Sequence, residues 1–400
     1  MLTVTVEQGG LLSLSQEEMT IVQDILKNRN MSWEYLDARQ KVLKLPQQYV
    51  GYIGLPARKI IIKPKHNGVT ISHILRIFFF LYTAQYSDLD IPIYDVDTGN
   101  DINLIAMFEK EMIRVVHHGL PVEYVEKEED LSYAKGALNA NHTLLNVRRN
   151  KREAFRCTYD DLTKDIDINK VLFAALRKIE GYVKDSDTLY ISKQFGIINY
   201  SHIPDQIVFS KNTAYCKKAV SLAYMILKDL TISSEGVSTS GESLLFNFDK
   251  VFEEFVKKVL MEYSSIGRFS YWSSSQNFAF YRVNSDLFER SYLPDLLYDY
   301  KEVRGRPIAK AILDMKNKTS QPFQNADIYQ MNFYSQMLSC KKVILCYPSA
   351  ERLDSIALRF DEERLSINKL YGAYINIAGN SAKEFKENIR DFIYKIENLV

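Results

Sequence analysis

Residues 292 to 334 read YLPDLLYDYKEVRGRPIAKAILDMKNKTSQPFQNADIYQMNFY, and no other stretch restricts the chain as much. A strand-like run from Leu293 to Tyr298 is followed by a polar turn, Arg304-Gly305-Arg306-Pro307, and a second run from Ile308 to Lys316. Two such runs around a Gly/Pro turn predict a hairpin. Side chains alternate across a strand, so Asp314 and Lys316 share a face, and hairpin pairing brings Asp295 beside them. The same Asp-x-Lys spacing recurs at Asp299-Tyr300-Lys301, and chance alone supplies such triplets in a charged chain. Asp314 and Lys316 are preferred because an apolar run leads into them, Pro294-Asp295 lies upstream at hairpin distance, and a third signal follows. That signal is Asn325 to Tyr334, whose helical period puts Gln330 and Tyr334 one turn apart on one face, spaced to contact a phosphate backbone.

Two carboxylates and an ammonium suit metal-assisted phosphodiester hydrolysis. Carboxylates hold Mg²⁺ without stripping all its waters, and a lysine assists the attacking water or neutralises developing charge. Upstream, apolar residues at 251, 252, 255, 256, 259 and 260 predict an amphipathic helix from Val251 to Leu260. Together these elements resemble the PD-(D/E)xK nuclease superfamily, with a Gln-x-x-x-Tyr helix similar to its RecB-like branch. The resemblance implies Asp295 and Asp314 as metal ligands and Lys316 as a catalytic group. It also implies a glutamate on the upstream helix that reaches the metal through water; Glu253 is the first choice and Glu254 the second, with a solvated helix face an equal reading for either.

Lys+Arg 51 against Asp+Glu 50 gives a net charge of +1, so any DNA contact has to come from local patches. The densest basic patch runs from Val147 to Tyr159 and holds Arg148, Arg149, Lys151, Arg152 and Arg156. It reads equally as a solvated hairpin tip or as a partner or nucleic-acid contact. Ile77 to Tyr82, the longest aliphatic-aromatic run, is too short to cross a bilayer, and Met1-Leu2-Thr3 opens no secretory leader, so no membrane association and a cytoplasmic location are expected. The 4 cysteines lack C-x-x-C spacing and are expected as buried free thiols. No G-x-x-x-x-G-K-[ST] occurs, so no nucleotide is expected to bind this chain.

Along the chain, strands are expected near residues 2–6, 41–45, 49–54, 59–65 and 122–125. Helices are expected at 15–27, 71–82, 104–118, 169–183 (capped by Asp165 or Asp167), 213–230 and 381–399. His117-His118 reads as C-terminal capping, and residues 233–242, SSEGVSTSGE, as the best linker. The resulting expectation is an α/β chain, α+β overall, in three parts: a β-rich N-terminal domain over 1–160, a helical connector over 161–240, and a three-layer nuclease domain with a mixed central sheet over 241–400.

Beyond the nuclease motifs, the chain resembles the McrC family, the nuclease subunits of McrBC-type, 5-methylcytosine-specific restriction systems. The likeness rests on Ile60 to Lys65, Met107-Phe108 with Gly119-Leu120 and Tyr124, Lys135-Gly136 (Arg-Gly in the family), Cys157 to Asp160, Phe252-Glu253, Pro294-Asp295, Asp314 to Lys316 and Asp327 to Met331. It implies a Mg²⁺- or Mn²⁺-dependent subunit that cuts double-stranded DNA and stimulates a McrB-like AAA+ GTPase. That partner recognises and translocates DNA, and the N-terminal domain would bind it through an arm; the basic stretch is plausible arm material. The other readings are a non-cleaving adaptor of an AAA+ partner and a stand-alone RecB-like nuclease.

Overall fold

A computed structural model describes residues 2–28, 34–37, 42–45, 47–81, 103–180, 186–232, 242–271, 276–283, 286–319, 322–359 and 369–400. The chain divides into two compact units, one of Met1–Ile102 with Asp229–Val400 and one of Asn103–Lys228. These boundaries differ from the expected segments 1–160, 161–240 and 241–400, and strand pairing within the first unit supplies the reason.

That unit begins with strands β1 (Leu2–Glu7), β2 (Tyr49–Gly54) and β3 (Arg58–Lys63) and helix α1 (Ile71–Leu81), and resumes with β4 (Leu230–Ile232), β5 (Glu242–Asn247) and helix α2 (Phe248–Tyr263). They form one sheet in the order β1-β3-β2-β5-β4. β5 pairs antiparallel with β2, Leu244 opposite Tyr52 and Phe246 opposite Val50. The apolar run Leu244 to Phe246 is thus in an inner strand, and the N-terminal sheet is completed by residues from beyond position 240. Gly51 makes the approach possible: its φ is +135°, and a Cβ there would lie 1.9 Å from the Leu244 carbonyl oxygen. Residues 233–241, most of the expected linker, lie outside the described residues; their flanks pair as the hairpin β4–β5.

The helix Gln16–Asn28 starts on a capping box, Ser15 Oγ accepting from Glu18 N at 3.2 Å and Glu18 Oε2 from Ser15 N at 2.8 Å. Its apolar stripe, Met19, Val22, Ile25 and Leu26, packs on Ile53, Ile60, Ile62 and Leu245 of the sheet.

The rest of the unit is built from β6 (Phe269–Ser270), β7 (Leu296–Tyr298), β8 (Ala311–Met315), helix α3 (Asn325–Met337), β9 (Lys342–Ser349), β10 (Ile356–Arg359), β11 (Lys369–Asn376) and helix α4 (Ala382–Leu399). Their sheet runs β6-β7-β8-β9-β11-β10. It is mixed: β8, β9 and β11 are parallel, whereas β7 and β10 pair antiparallel with their neighbours. The predicted hairpin is present as β7–β8, extended by a ribbon, Lys301–Val303 with Arg306–Ile308. Its turn residues Arg304 and Gly305 have φ of 52° and 73°, the positive values a tight two-residue turn needs. A further hairpin, Gln276–Val283 with Asp286–Tyr292, has no counterpart in the sequence reading.

α3 covers one face of this sheet, Met331, Tyr334 and Leu338 packing with Leu297, Ile312, Val343 and Leu345. α2 is longer than the predicted 251–260 and begins on Asn247, whose Oδ1 accepts from Lys250 N at 3.1 Å. Its Phe255 stacks on Phe385 of α4, ring centroids 5.7 Å apart, and meets Phe80 of α1 edge-on at 5.3 Å.

The second unit holds the helix Leu104–His118, as predicted, capped by Asn103, and a sheet of Glu123–Leu131, Phe155–Thr163 and Ala137–Leu138. The strand expected to end at Val125 continues to Leu131, paired along its length with Phe155–Thr163; Asp130 lies opposite Arg156, and Lys127 is ion-paired to Asp161. The basic stretch is not a hairpin tip: the helix Ala140–Arg148 and a turn at Asn150, φ 54°, precede the strand. The helix Asp167–Ile179 has Ile166 at its N-cap with no side-chain bond, so neither Asp165 nor Asp167 caps it. Gly119 closes the helix before it, His117 and His118 lie in its last turn, and His118 packs against Tyr215, centroids 4.0 Å apart. All 4 cysteines are buried and free. Among the described residues no helix is long and apolar enough to cross a membrane.

Candidate active site

β7 and β8 pair with Leu296 opposite Leu313, which places Asp295 opposite Asp314 one step along the ladder. Asp295 Oδ2 accepts from the backbone N–H of Met315 at 2.8 Å, so the carboxylate is pinned across the strands. Asp314 is 2% exposed, and its Oδ2 lies 2.6 Å from Lys316 Nζ. That oxygen is charge-paired but accepts no well-directed hydrogen bond. Lys316 Nζ donates to Gln330 Oε1 at 2.9 Å, Gln330 Nε2 donates to the Tyr334 hydroxyl at 3.0 Å, and that hydroxyl donates to the Leu293 carbonyl at 3.2 Å. Of the two α3 residues predicted to position DNA, Gln330 bonds the lysine directly, and Tyr334, 7% exposed, backs Gln330 from the core.

Electrostatics follow from this crowding. Burial, with Asp314 and Glu253 nearby, pushes Asp295 up to about 7. Burial also raises Asp314, and Lys316 opposes that rise. Burial works against the Lys316 ammonium, but Asp314, Asp327 and Asp295 outweigh it and lift its pKa above the ordinary lysine range. Glu253, on α2, lies within electrostatic range of both aspartates and is ion-paired to Lys257 one turn on. Glu254 is exposed.

Sequence reasoning passed over the support of this cluster. Asp327, 4% exposed in the first turn of α3, accepts from Lys318 Nζ at 2.7 Å and sits 3.9 Å from Lys316 Nζ. Lys318 also donates to Gln324 at 2.9 Å. The alternation that selected Lys316 would have selected Lys318. The second Asp-x-Lys is a separate cluster: Asp299 faces Lys310 at 2.8 Å, Lys301 at 3.4 Å and Arg268 at 3.7 Å.

The predicted contact residues Arg148, Arg149, Lys151, Arg152 and Arg156 belong to the second unit. Two are neutralised, Arg156 by Glu128 at 3.2 Å and Asp130 at 3.4 Å, and Lys151 by Asp130 at 3.0 Å. Arg148, Arg149 and Arg152 are exposed and make no ion pair among the described residues. Lys135, at the Arg-Gly position of the resemblance, sits over the Tyr159 ring at 3.6 Å, with Gly136 at φ 66°.

The family model described as McrBC 5-methylcytosine restriction system component matches residues 45–348. The chain belongs to this McrBC family. Of solved structures, it is similar to one from Thermococcus gammatolerans described as a refined half-complex from a tetradecameric assembly of McrB AAA+ hexamers with bound McrC, at 16% identity, TM-score 0.52 and 100% coverage of both chains. A cryo-EM structure of the Thermococcus gammatolerans McrBC complex matches at 16% identity and TM-score 0.40, covering 64% of this chain and 87% of that one. No curated protein matches. The first likeness supports a shared fold, and the resemblance to the McrC family read from the sequence agrees with the family match.

Whether the site fits a divalent ion is decided by its donors. Among the described residues no group of three or more His, Cys, Asp or Glu closes around a metal. Mg²⁺ needs no such cage, since it binds through one or two carboxylates and keeps several waters. Asp295 and Asp314 would be that pair: their carboxyls repel each other, and Asp314 Oδ2, which faces Lys316 Nζ at 2.6 Å but accepts no directed hydrogen bond, fits a cation.

Proposed function

We propose that this McrBC-family chain is the Mg²⁺-dependent endonuclease subunit of a modification-dependent restriction complex, cutting double-stranded DNA in a PD-(D/E)xK-type domain. The observation that carries the reading is the convergence of Asp295, Asp314 and Lys316 at the open end of β7–β8, with the lysine held by Gln330. Asp295 and Asp314 would hold the ion, and Glu253 would support it through water. Bound there, Mg²⁺ supplies Lewis-acid polarisation of the scissile phosphate. Lys316, kept charged by its acidic neighbours, donates to the phosphate oxygens as negative charge develops on them. Gln330 and Tyr334 fix the direction of that donation.

The partner in this reading is an AAA+ GTPase of the McrB kind, which the chain stimulates and which selects the DNA. The Thermococcus structure, described as McrB hexamers with bound McrC, supports such an association. Within the predicted basic patch, Arg148, Arg149 and Arg152 are the exposed cations that make no ion pair among the described residues and so are available to a partner or to DNA. The test is cleavage of methylated and unmethylated plasmid by the chain, with and without the AAA+ subunit, GTP and Mg²⁺, alongside Asp314→Ala. Cleavage that needs partner, nucleotide and metal, and is lost in Asp314→Ala with the complex intact, is expected. Unchanged cleavage by Asp314→Ala refutes the site. Cleavage by the lone chain favours the stand-alone nuclease, and stimulation of the partner with no cleavage under any metal favours the adaptor.

A further inference from the structure

The N-terminal sheet reaches the catalytic strand through a chain of hydrogen bonds that runs from the buried His66 and Asn317 to the exposed Asp249. Asn317, next after Lys316 and 8% exposed, donates through Nδ2 to Asp249 Oδ1 at 2.7 Å. Its Oδ1 lies 2.6 Å from Nε2 of His66, itself 7% exposed. The donor and acceptor roles follow from chemistry. An ionised carboxylate only accepts, so the Asn317 amide nitrogen faces Asp249, its oxygen faces the imidazole, and His66 carries its hydrogen on Nε2.

Each of the linked residues stands at a position that matters to the site. Asp249 is in the first turn of α2, one turn ahead of Glu253 on the same helix face. Asn317 directly follows the strand that carries Asp314 and Lys316. His66 follows β3, and its segment is fixed from below: Lys65 N donates to Gln8 Oε1 at 3.0 Å and Gln8 Nε2 donates to the Gln47 carbonyl at 3.1 Å. The imidazole also meets Phe248, the first residue of α2, edge-on at 6.3 Å, and Phe248 N donates to the Gln48 carbonyl at 2.7 Å. The N-terminal sheet therefore grips both the start of α2 and the end of β8.

We infer that His66 and Asn317 are positioning residues of the nuclease site, setting the spacing between the helix that carries Glu253 and the strand that carries Asp314 and Lys316. The inference rests on the nuclease reading above. The front half of the chain is then a structural part of the catalytic centre in addition to any partner it binds. Outer hydrogen bonds of this kind orient metal-binding groups, and their loss lowers affinity or activity by about tenfold to a hundredfold.

The experiment uses the full chain. Mn²⁺ binding is measured calorimetrically for the chain alone, with Asp314→Ala as the blank, and plasmid cleavage with the AAA+ partner is measured as turnover. His66→Phe keeps the packing on Phe248 and removes the donor; His66→Gln restores an N–H; Asn317→Asp is isosteric and sets a carboxylate against Asp249. Weaker Mn²⁺ binding and turnover reduced about tenfold or more in His66→Phe and Asn317→Asp, with His66→Gln close to wild type, is the expected result. Wild-type binding and turnover in Asn317→Asp overturns the inference, as does equal impairment of His66→Phe and His66→Gln. Should His66→Phe fail to fold by its melting curve, the isosteric Asn317→Asp decides alone. Full cleavage by Asp314→Ala would instead remove the nuclease reading beneath it.

Discussion

Asp295→Asn should remove much of the pH dependence of stability between acid and neutral pH in the metal-free chain. Burial and the nearby Asp314 and Glu253 raise the Asp295 carboxyl from 3.8 to about 7. At about 1.4 kcal/mol per pH unit, that difference corresponds to about 4 kcal/mol. The sign follows from which state holds the proton. Between the two values the folded chain binds it and the unfolded chain does not, so the contribution is fully present below about pH 3.8 and is lost as pH rises through about 7. The amide of asparagine carries no charge and keeps an oxygen for the Met315 N–H, so the cost of a buried charge disappears while the bond across the strands remains. The assay is denaturant unfolding of wild type and Asp295→Asn in EDTA from pH 5 to pH 8. Wild type should lose stability across the range, Asp295→Asn should lose much less, and added Mg²⁺ should restore wild type at pH 8 but help the variant little. Parallel profiles for the two proteins would refute the electrostatic account of the site.

Other outcomes follow from the same geometry. Lys316→Met should lower turnover about a hundredfold to a thousandfold with DNA binding retained, as removal of a charge-stabilising donor does; filter binding and single-turnover cleavage separate the two effects. Asp299→Ala, in the other Asp-x-Lys, should leave cleavage at the wild-type rate, because its lysine and arginine partners belong to a separate cluster. Gly51→Ala should destabilise the chain by about 2 kcal/mol or more, since its Cβ would meet the Leu244 carbonyl and the positive φ disfavours any side chain; thermal melting reads this directly. Replacing Arg148, Arg149 and Arg152 together by alanine should reduce stimulation of the AAA+ partner's GTPase with the fold unchanged by circular dichroism, whereas single substitution of the paired Arg156 should matter less.

The local chemistry was legible in the sequence because it depends on short spacings. Alternation placed Asp314 and Lys316 on one face, the Gly305 turn returned the chain to set Asp295 opposite, and a period of 3.6 aligned Gln330 with Tyr334. Helices with clear ends, such as Leu104–His118 between Asn103 and Gly119, read true for the same reason. What the spacings could not carry was pairing between distant segments. Leu244 to Phe246 is a strand because Tyr49–Gly54 offers it an open edge nearly 200 positions upstream, and no local signal records that partner. The acidic strand Glu123–Leu131 has no apolar face to announce it; it is held by its pairing with Phe155–Thr163 and by single ion pairs, Lys127 with Asp161 and Arg156 with Glu128 and Asp130. Likewise, spacing aligned Gln330 with Tyr334, but only packing sets their polar groups on Lys316 and Leu293. By itself the sequence determined which side chains the hairpin and helix would bring together, Asp295, Asp314, Lys316 and Gln330, since their types and spacing are local properties. Only the tertiary structure decided that His66, just past the N-terminal sheet's strand Arg58–Lys63, meets Asn317 beside Lys316, because hydrogen bonds across 251 positions depend on the whole chain folding around them.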